Sequence, residues 1–77
     1  MISYELAKKL REAGFKSKEG AYIPTLEELI EICGDKIEII GKHNNDWYVQ
    51  GIMGCMETGN TLDEAVANFY LELHKKE

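Results

Sequence analysis

The sequence predicts an α+β fold in which three helices pack on a small antiparallel β-hairpin or sheet, in the order α-(β)-α-β-β-α. Two observations predict it. Three stretches carry apolar residues at helical spacing behind a Ser or Thr that can cap a helix. Between the second and third of these, two stretches rich in β-branched and aromatic residues flank a turn-forming segment. The chain of 77 residues is predicted to form a single domain, 1–77.

The first helix is predicted over residues 3–13. Ser3 can cap its start, and Gly14 stands where a helix commonly ends in a left-handed residue. The apolar residues between them recur on one helix face: Leu6, Ala7, Leu10 and Ala13. After a polar connection, a short extended segment is predicted at 21–23, because Pro24 biases the residue before it towards β.

The second and third helices are predicted over residues 25–33 and 62–75. Thr25 and Thr61 are each followed three residues later by a glutamate, which is the pattern of a capping box. The apolar residues behind each Thr keep helical spacing. They are Leu26, Leu29, Ile30 and Cys33 in the second helix, and Leu62, Ala65, Val66, Phe69, Tyr70 and Leu73 in the third.

The hairpin is predicted over residues 36–40 and 46–53, with a reversing turn at 43–46. Alternation places two sets of side chains on opposite sides of the second strand. They are Trp47, Val49 and Gly51 on one side, and Tyr48, Gln50 and Ile52 on the other. The first set is expected to pack on the helices together with Ile37 and Ile39. Trp47 then lies at the rim of the core, and Tyr48 is exposed.

Residues 54–60 are predicted to form a loop rich in Gly and Met between the hairpin and the third helix. Gly51, Gly54 and Gly59 have no basic residue among them, which argues against a phosphate-binding loop. These glycines are instead expected to mark a strand kink and a loop. They would let the end of the strand curl over the start of the helix.

The charge of the chain limits its partners. Nine Lys and Arg stand against fourteen Asp and Glu, giving a net charge of −5. A net acidic surface argues against non-specific binding of nucleic acid or of an anionic membrane. No stretch approaches the length of a membrane span, and the first residues do not resemble a signal peptide. A cytoplasmic location is therefore expected. A second interpretation stays open, in which the acidic residues within 28–38 form a face that binds a basic partner.

No sequence motif predicts catalysis, a cofactor or a metal site. Cys33, His43, Cys55 and His74 are candidate zinc ligands, but their spacing lacks the close pairs of structural zinc sites. Cys55 and His43 are predicted at opposite ends of the second strand, roughly 30 Å apart at ~3.4 Å per residue. That distance is too long for a nucleophile and its base. The sequence therefore predicts no enzyme activity, no cofactor and no metal.

Two stretches resemble the partners of a toxin–antitoxin pair. Tyr48-Val49, Gly54-Cys55 and residues 58–68 are similar to the core of HicB-type antitoxins, where a strand leads into a G-C-x-x-x-G-D/N-T-x-E-E-A-x-x-N turn and helix. Residues 10–15, L-R-E-A-G-F, look like the first helix of the HicA-type ribonucleases, but residues 18–22 lack their catalytic His. The first resemblance implies an antitoxin relative that blocks a small ribonuclease with a surface near the third helix.

The whole chain resembles small uncharacterised proteins encoded by bacteriophages and prophages. The shared pattern is a short helix ending in A-G-F, then Y-x-P-T-L-E-E-L-I-E-x-C-G-D, a Trp-containing hairpin and a final helix that begins E-A-V-A-N-F. This resemblance implies an accessory protein in the cytoplasm of a bacterial host. It brings no known activity with it.

Together these features predict a non-catalytic accessory protein that binds a macromolecule. The favoured class of partner is a protein of the host or the phage. The predicted binding residues, on the exposed hairpin face and the following loop, are Tyr48, Gln50, Met53 and Met56. A HicB-like antitoxin relative is the alternative. A second copy of the chain is a further candidate partner, because an unpaired hairpin edge invites pairing.

Overall fold

The computed structural model describes residues 2–15 and 25–74. The described helices and strands, in chain order, are α1 (Tyr4–Glu12), α2 (Leu26–Cys33), a 3₁₀ turn (Gly34–Lys36), β1 (Ile37–His43), β2 (Asp46–Gly51), β3 (Met56–Gly59) and α3 (Leu62–Leu73). The predicted α+β class is confirmed, and the observed order is α-α-β-β-β-α. The extended segment predicted at 21–23 lies outside the described residues.

The helices begin at the predicted caps. Thr25 and Glu28 form a full capping box, in which the Thr25 Oγ1 accepts from the Glu28 N–H at 3.2 Å and the Glu28 Oε1 accepts from the Thr25 N–H at 3.1 Å. Ser3 and Thr61 each accept a hydrogen bond from the backbone N–H three residues later. Gly14, with φ +103°, ends α1 in the left-handed conformation that glycine adopts without strain.

The three strands form one antiparallel sheet in the order β1-β2-β3. The prediction of a loop over 54–60 is wrong, because Met56–Gly59 pairs with β2 as a third strand. The turn between β2 and β3 is short and is closed by the Gly54 N–H, which donates to the Gly51 C=O at 3.0 Å. Pairing with β3 gives the second edge of β2 the backbone partners that a loop would not have supplied.

A β-bulge interrupts β1 near its start. Ile37 pairs with Gly51 and Ile39 pairs with Gln50, so Glu38 is an extra residue between them. Directly paired residues share a face of the sheet, and Ile39 therefore lies on the same face as Gln50. The prediction that Ile39 packs on the helices is wrong for this reason, and its side chain is 43% exposed.

The core lies between the sheet and the helices. α3 packs over β2 and β3, and α1 and α2 pack against α3. The buried apolar residues come from all three helices, from the residues flanking α1 and from β2: Ile2, Ala7, Leu10, Phe15, Leu29, Cys33, Val49, Ala65, Val66, Ala67, Phe69 and Tyr70. Trp47 is partly buried against this cluster, which confirms its predicted place at the rim. Apart from Ile37, which packs on the core, β1 extends beyond the helix layer.

Candidate functional site: the open face of the sheet

One face of the sheet packs on α3, and we call the opposite one the open face. Because paired residues share a face, the strand register determines which side chains belong to it. They are Ile39, Gly41 and His43 from β1, Asp46, Tyr48 and Gln50 from β2, and Met56 and Thr58 from β3. None of these residues is buried. The open face is therefore a surface of mixed apolar and polar side chains.

Three of the four predicted binding residues come together on the open face. Met56 lies directly opposite Gln50, and Thr58 lies directly opposite Tyr48. Met56 is 55% exposed, and Tyr48 and Gln50 are partly exposed. Met53 lies apart from them, in the turn between β2 and β3.

The ring of Tyr48 lies across Gly41, its partner in β1. A Cβ built at Gly41 would stand 2.5 Å from the Tyr48 ring, so the ring occupies the space that a larger side chain would need. This packing explains why Tyr48 is only partly exposed, although the alternation predicted an exposed side chain. Beside the ring, the open face has a shallow depression of about 280 Å³ lined by His43, Tyr48, Met56 and Thr58. The depression can accept an apolar side chain with polar groups at its margin.

Ile39, His43 and Thr58 belong to the open face but were not predicted as site residues. Ile39 is placed there by the bulge at Glu38, which has no recognisable signal in the sequence. Thr58 is placed there by β3, a strand of only four residues. Four residues are too few for the alternation of a strand to be distinguished from a loop.

A second concave region lies on the helix side of the sheet, and we call it the end groove. It consists of two adjoining cavities of about 360 and 430 Å³ that share Lys36, Met53 and Leu73. The remaining lining residues are Ile32, Cys33, Gly51, Cys55, Phe69, Tyr70, Glu72 and His74. Met53, 80% exposed, stands at this groove and not on the open face. Lys36 and Glu72 give the groove walls of opposite charge, which select no single class of ligand.

The two thiols are poorly suited to nucleophilic chemistry. Burial raises the pKa of Cys33 to about 11. Burial, and then the carboxylates of Glu72 and Glu57, raise the pKa of Cys55 as well. Both thiols are therefore protonated at neutral pH, whereas the thiolate is the nucleophile.

Cys55 and His43 lie at opposite ends of β2, as predicted. His43 pairs with Asp46, and the Cys55 C=O accepts from the Gly51 N–H at 2.7 Å. The separation along the strand is about 17 Å at ~3.4 Å per residue, shorter than expected but still too long for direct proton transfer. Within residues 2–15 and 25–74, no three His, Cys, Asp or Glu side chains stand together as a metal site would require.

The stability of the protein is expected to fall as the pH rises from about 9 to about 11. The pKa of Cys33 is near 9.0 in its ordinary state and about 11 when buried in the folded protein. The folded state therefore keeps a proton that the unfolded state has lost, which lowers the free energy of unfolding by roughly 2 kcal/mol at the alkaline end. The pKa of Tyr70 is also raised by burial, and then by the Cys33 thiolate, which adds a loss of the same sign.

Urea unfolding at a series of pH values measures this effect. Cys33→Ala is expected to lose stability clearly less steeply over that interval, while Cys55→Ser, which removes the less buried thiol, should reduce the slope less. An equal slope in Cys33→Ala and wild type would show that the buried thiol does not control it.

Comparison with known protein families, with curated proteins and with solved structures finds no significant match. The longest described helix has 12 residues. None of the helices in the described part of the chain is both long and apolar enough to cross a membrane.

Proposed function

We propose that this chain is a non-catalytic binding protein whose open face binds a protein partner. The observation that carries the proposal is the strand register, which brings Tyr48, Gln50 and Met56 onto one accessible surface with Ile39. Met56 and Ile39 are large apolar side chains that are 55% and 43% exposed. Exposed apolar and aromatic side chains grouped on one face are typical of protein-binding surfaces.

The charge of the open face favours a protein over a nucleic acid. None of the residues that the three described strands place on it is Lys or Arg, and Asp46 at the hairpin end is acidic. Binding to a phosphate backbone depends on clustered cations. A surface of Ile, Met, Tyr, Gln and Thr instead offers apolar contact with hydrogen-bonding groups around it.

The dimensions of the open face suit the apolar side of one helix. The strands lie about 4.8 Å apart and the open face spans five residues of β1 and of β2, which gives a surface of roughly 14 by 17 Å. An α-helix with its side chains is about 10–12 Å in diameter, so two to three turns would cover this surface. α3 already covers the opposite face of β2 and β3 in this way. The partner we propose is thus a protein that presents an amphipathic helix.

We propose that this binding takes place in the cytoplasm of a bacterial host, with a host or phage protein as partner, and the support is the resemblance of the whole chain to bacteriophage and prophage proteins. A HicB-like antitoxin relative, which blocks a small ribonuclease, is the second candidate. This candidate is supported by the structure of residues 48–68, the stretch that resembles HicB-type antitoxins. There β3 leads into α3, and the Asn68 Nδ2 donates to the Thr58 C=O at 2.9 Å. The last residue of the resembling motif thereby joins the helix to the strand.

Affinity capture from a lysate of the bacterial host tests the proposal, with variants that separate the predicted residues. The double variant Tyr48→Ala/Met56→Ala removes the centre of the open face, and Met53→Ala makes a matched change at the end groove. We expect wild type and Met53→Ala to retain the same protein in near-stoichiometric amount. With that protein purified, the double variant is expected to bind at least about tenfold more weakly.

The result has two informative alternatives. Equal affinity of the double variant and wild type, with both folded by circular dichroism, would contradict the use of the open face. Capture of a small ribonuclease whose activity the chain inhibits would favour the antitoxin candidate over a general accessory role.

A further inference from the structure

β1 is largely exposed on both faces, and no other described strand pairs with its outer edge. Among the described strands it pairs with β2 alone. Ile39, on the open face, is 43% exposed, and Ile40, on the side of the helices, is 39% exposed because β1 extends beyond the helix layer. A seven-residue edge strand with an exposed isoleucine on each face leaves both apolar surface and backbone groups to be covered.

We propose that β1 pairs antiparallel with β1 of a second copy of this chain, with Ile40 facing Ile40 of the partner at the two-fold axis. The two sheets then form one continuous six-stranded sheet. This dimer does not depend on the protein partner proposed for the open face.

Charge complementarity supports this occupant and this register. Antiparallel pairing centred on Ile40 places Glu38 of each copy opposite Lys42 of the other, which gives two opposite-charge pairs across the axis. Centring on Ile39 or on Gly41 separates these charges. Parallel pairing in register would place like charges opposite one another, which is destabilising.

The same two residues explain how the edge avoids unselective pairing. An edge lysine is a device that discourages pairing with unrelated strands. Lys42 stands over the Trp47 ring, 5.6 Å from its centroid, on the same face of β1 as Ile40. Only a strand with an acid at the right position neutralises Lys42, and a second β1 has one.

The dimer would bring the two open faces together. A two-fold axis perpendicular to the sheet leaves both helix layers on one side and both open faces on the other. The combined open face is then about 28 Å wide, from six strands about 4.8 Å apart. The Ile40 pair lies on the helix side, between the two helix layers, where it shields apolar surface that one copy leaves exposed.

Charge exchange tests the dimer and its register in one series. Sedimentation equilibrium of the full chain is expected to show a monomer–dimer equilibrium for wild type. Glu38→Lys and Lys42→Glu, each alone, bring like charges together and should weaken dimerisation by about tenfold. The double variant Glu38→Lys/Lys42→Glu restores opposite charges and should recover the affinity of wild type.

The controls follow from the same design. Glu12→Lys and Lys8→Glu make equal changes of charge on exposed positions of α1 and are expected to leave dimerisation unchanged. The double variant also lacks the Lys42 contact with Trp47, so its recovery cannot come from that contact. A folded wild type that stays monomeric at sub-millimolar concentration would overturn the proposal. A dimer whose dissociation constant is unchanged by both single charge reversals would overturn it as well.

A covalent readout checks the position of the axis. Residues directly opposite in antiparallel strands have Cα atoms about 4.5–5.5 Å apart, within the range that a disulfide spans. In a Cys55→Ser background, Ile40→Cys is expected to form a disulfide-linked dimer on mild oxidation, whereas Met53→Cys, at an exposed position in the turn between β2 and β3, does not. Equal crosslinking of the two variants would contradict an axis at residue 40.

Discussion

Replacing Phe69 by alanine is expected to leave about half or more of the protein unfolded at 25 °C. Phe69 is the largest of the fully buried side chains, and it connects α3 to the sheet above Gly51. Truncating a buried Phe to Ala costs about 3–5 kcal/mol, because contacts are lost and a cavity remains. A chain of 77 residues has a net stability of only about 3–5 kcal/mol from a single core. The loss is therefore as large as the whole stability.

Urea unfolding followed by circular dichroism and by Trp47 fluorescence measures this loss. Phe69→Leu keeps much of the buried volume and should lose clearly less stability than Phe69→Ala. Met53→Ala is the matched surface control and should stay within about 0.5 kcal/mol of wild type. A Phe69→Ala protein that unfolds at the same urea concentration as wild type would contradict the position of this ring at the centre of the core.

The helices could be predicted because their signals are local. A hydroxyl cap, a glutamate three residues later and apolar residues at helical spacing act within one or two turns. Thr25 and Glu28 form the box that their spacing predicts. The third helix ends at Leu73, close to its predicted end at residue 75. Helix positions were therefore recoverable from neighbouring residues alone.

The sheet depends on pairing between distant residues, and its details were not recoverable in this way. β3 exists because its four residues meet the free edge of β2, and those residues carry too short a pattern to predict a strand. The bulge at Glu38 adds one residue to β1, so the alternation of side chains between the two faces does not continue unbroken from Ile37 to Ile39. Ile39 was placed on the wrong face for that reason, while Val49, on the uninterrupted β2, was placed correctly.

In the candidate site, too, the features set by neighbouring residues were predicted, and those set by strand pairing were not. Tyr48 and Gln50 were grouped by alternation along one strand, which a sequence displays directly. Met56 joins them because β3 pairs with β2, although it was selected as part of a loop. Met53 was selected for the same exposure and flexibility, but the turn directs it to the end groove. Exposure was predictable, and the surface to which an exposed residue belongs was not.

Replacing Gly59 by alanine is expected to destabilise the protein by about 3 kcal/mol, a cost at the upper end of what one added methyl group causes. A Cβ at Gly59 would stand 2.6 Å from the Ala65 backbone N and 2.9 Å from the Glu64 carbonyl carbon. Both are backbone atoms in the first turns of α3, so no side-chain rotation can relieve the contact. The sequence predicted a loop glycine at this position, and the structure instead places Gly59 at the end of β3, in close contact with the start of α3.

Gly34→Ala provides a control in which the same substitution should have the opposite sign. Gly34 has helical backbone angles, φ −51° and ψ −43°, and a Cβ there would meet nothing within 4 Å. Alanine at such a position restricts the unfolded chain and should stabilise the protein by about 0.4–1 kcal/mol. Urea unfolding of the two variants therefore separates a steric requirement from a general cost of replacing glycine. Equal destabilisation of both variants would indicate a general cost of replacing glycine, and a Gly59→Ala variant as stable as wild type would mean that β3 and α3 can move apart without loss.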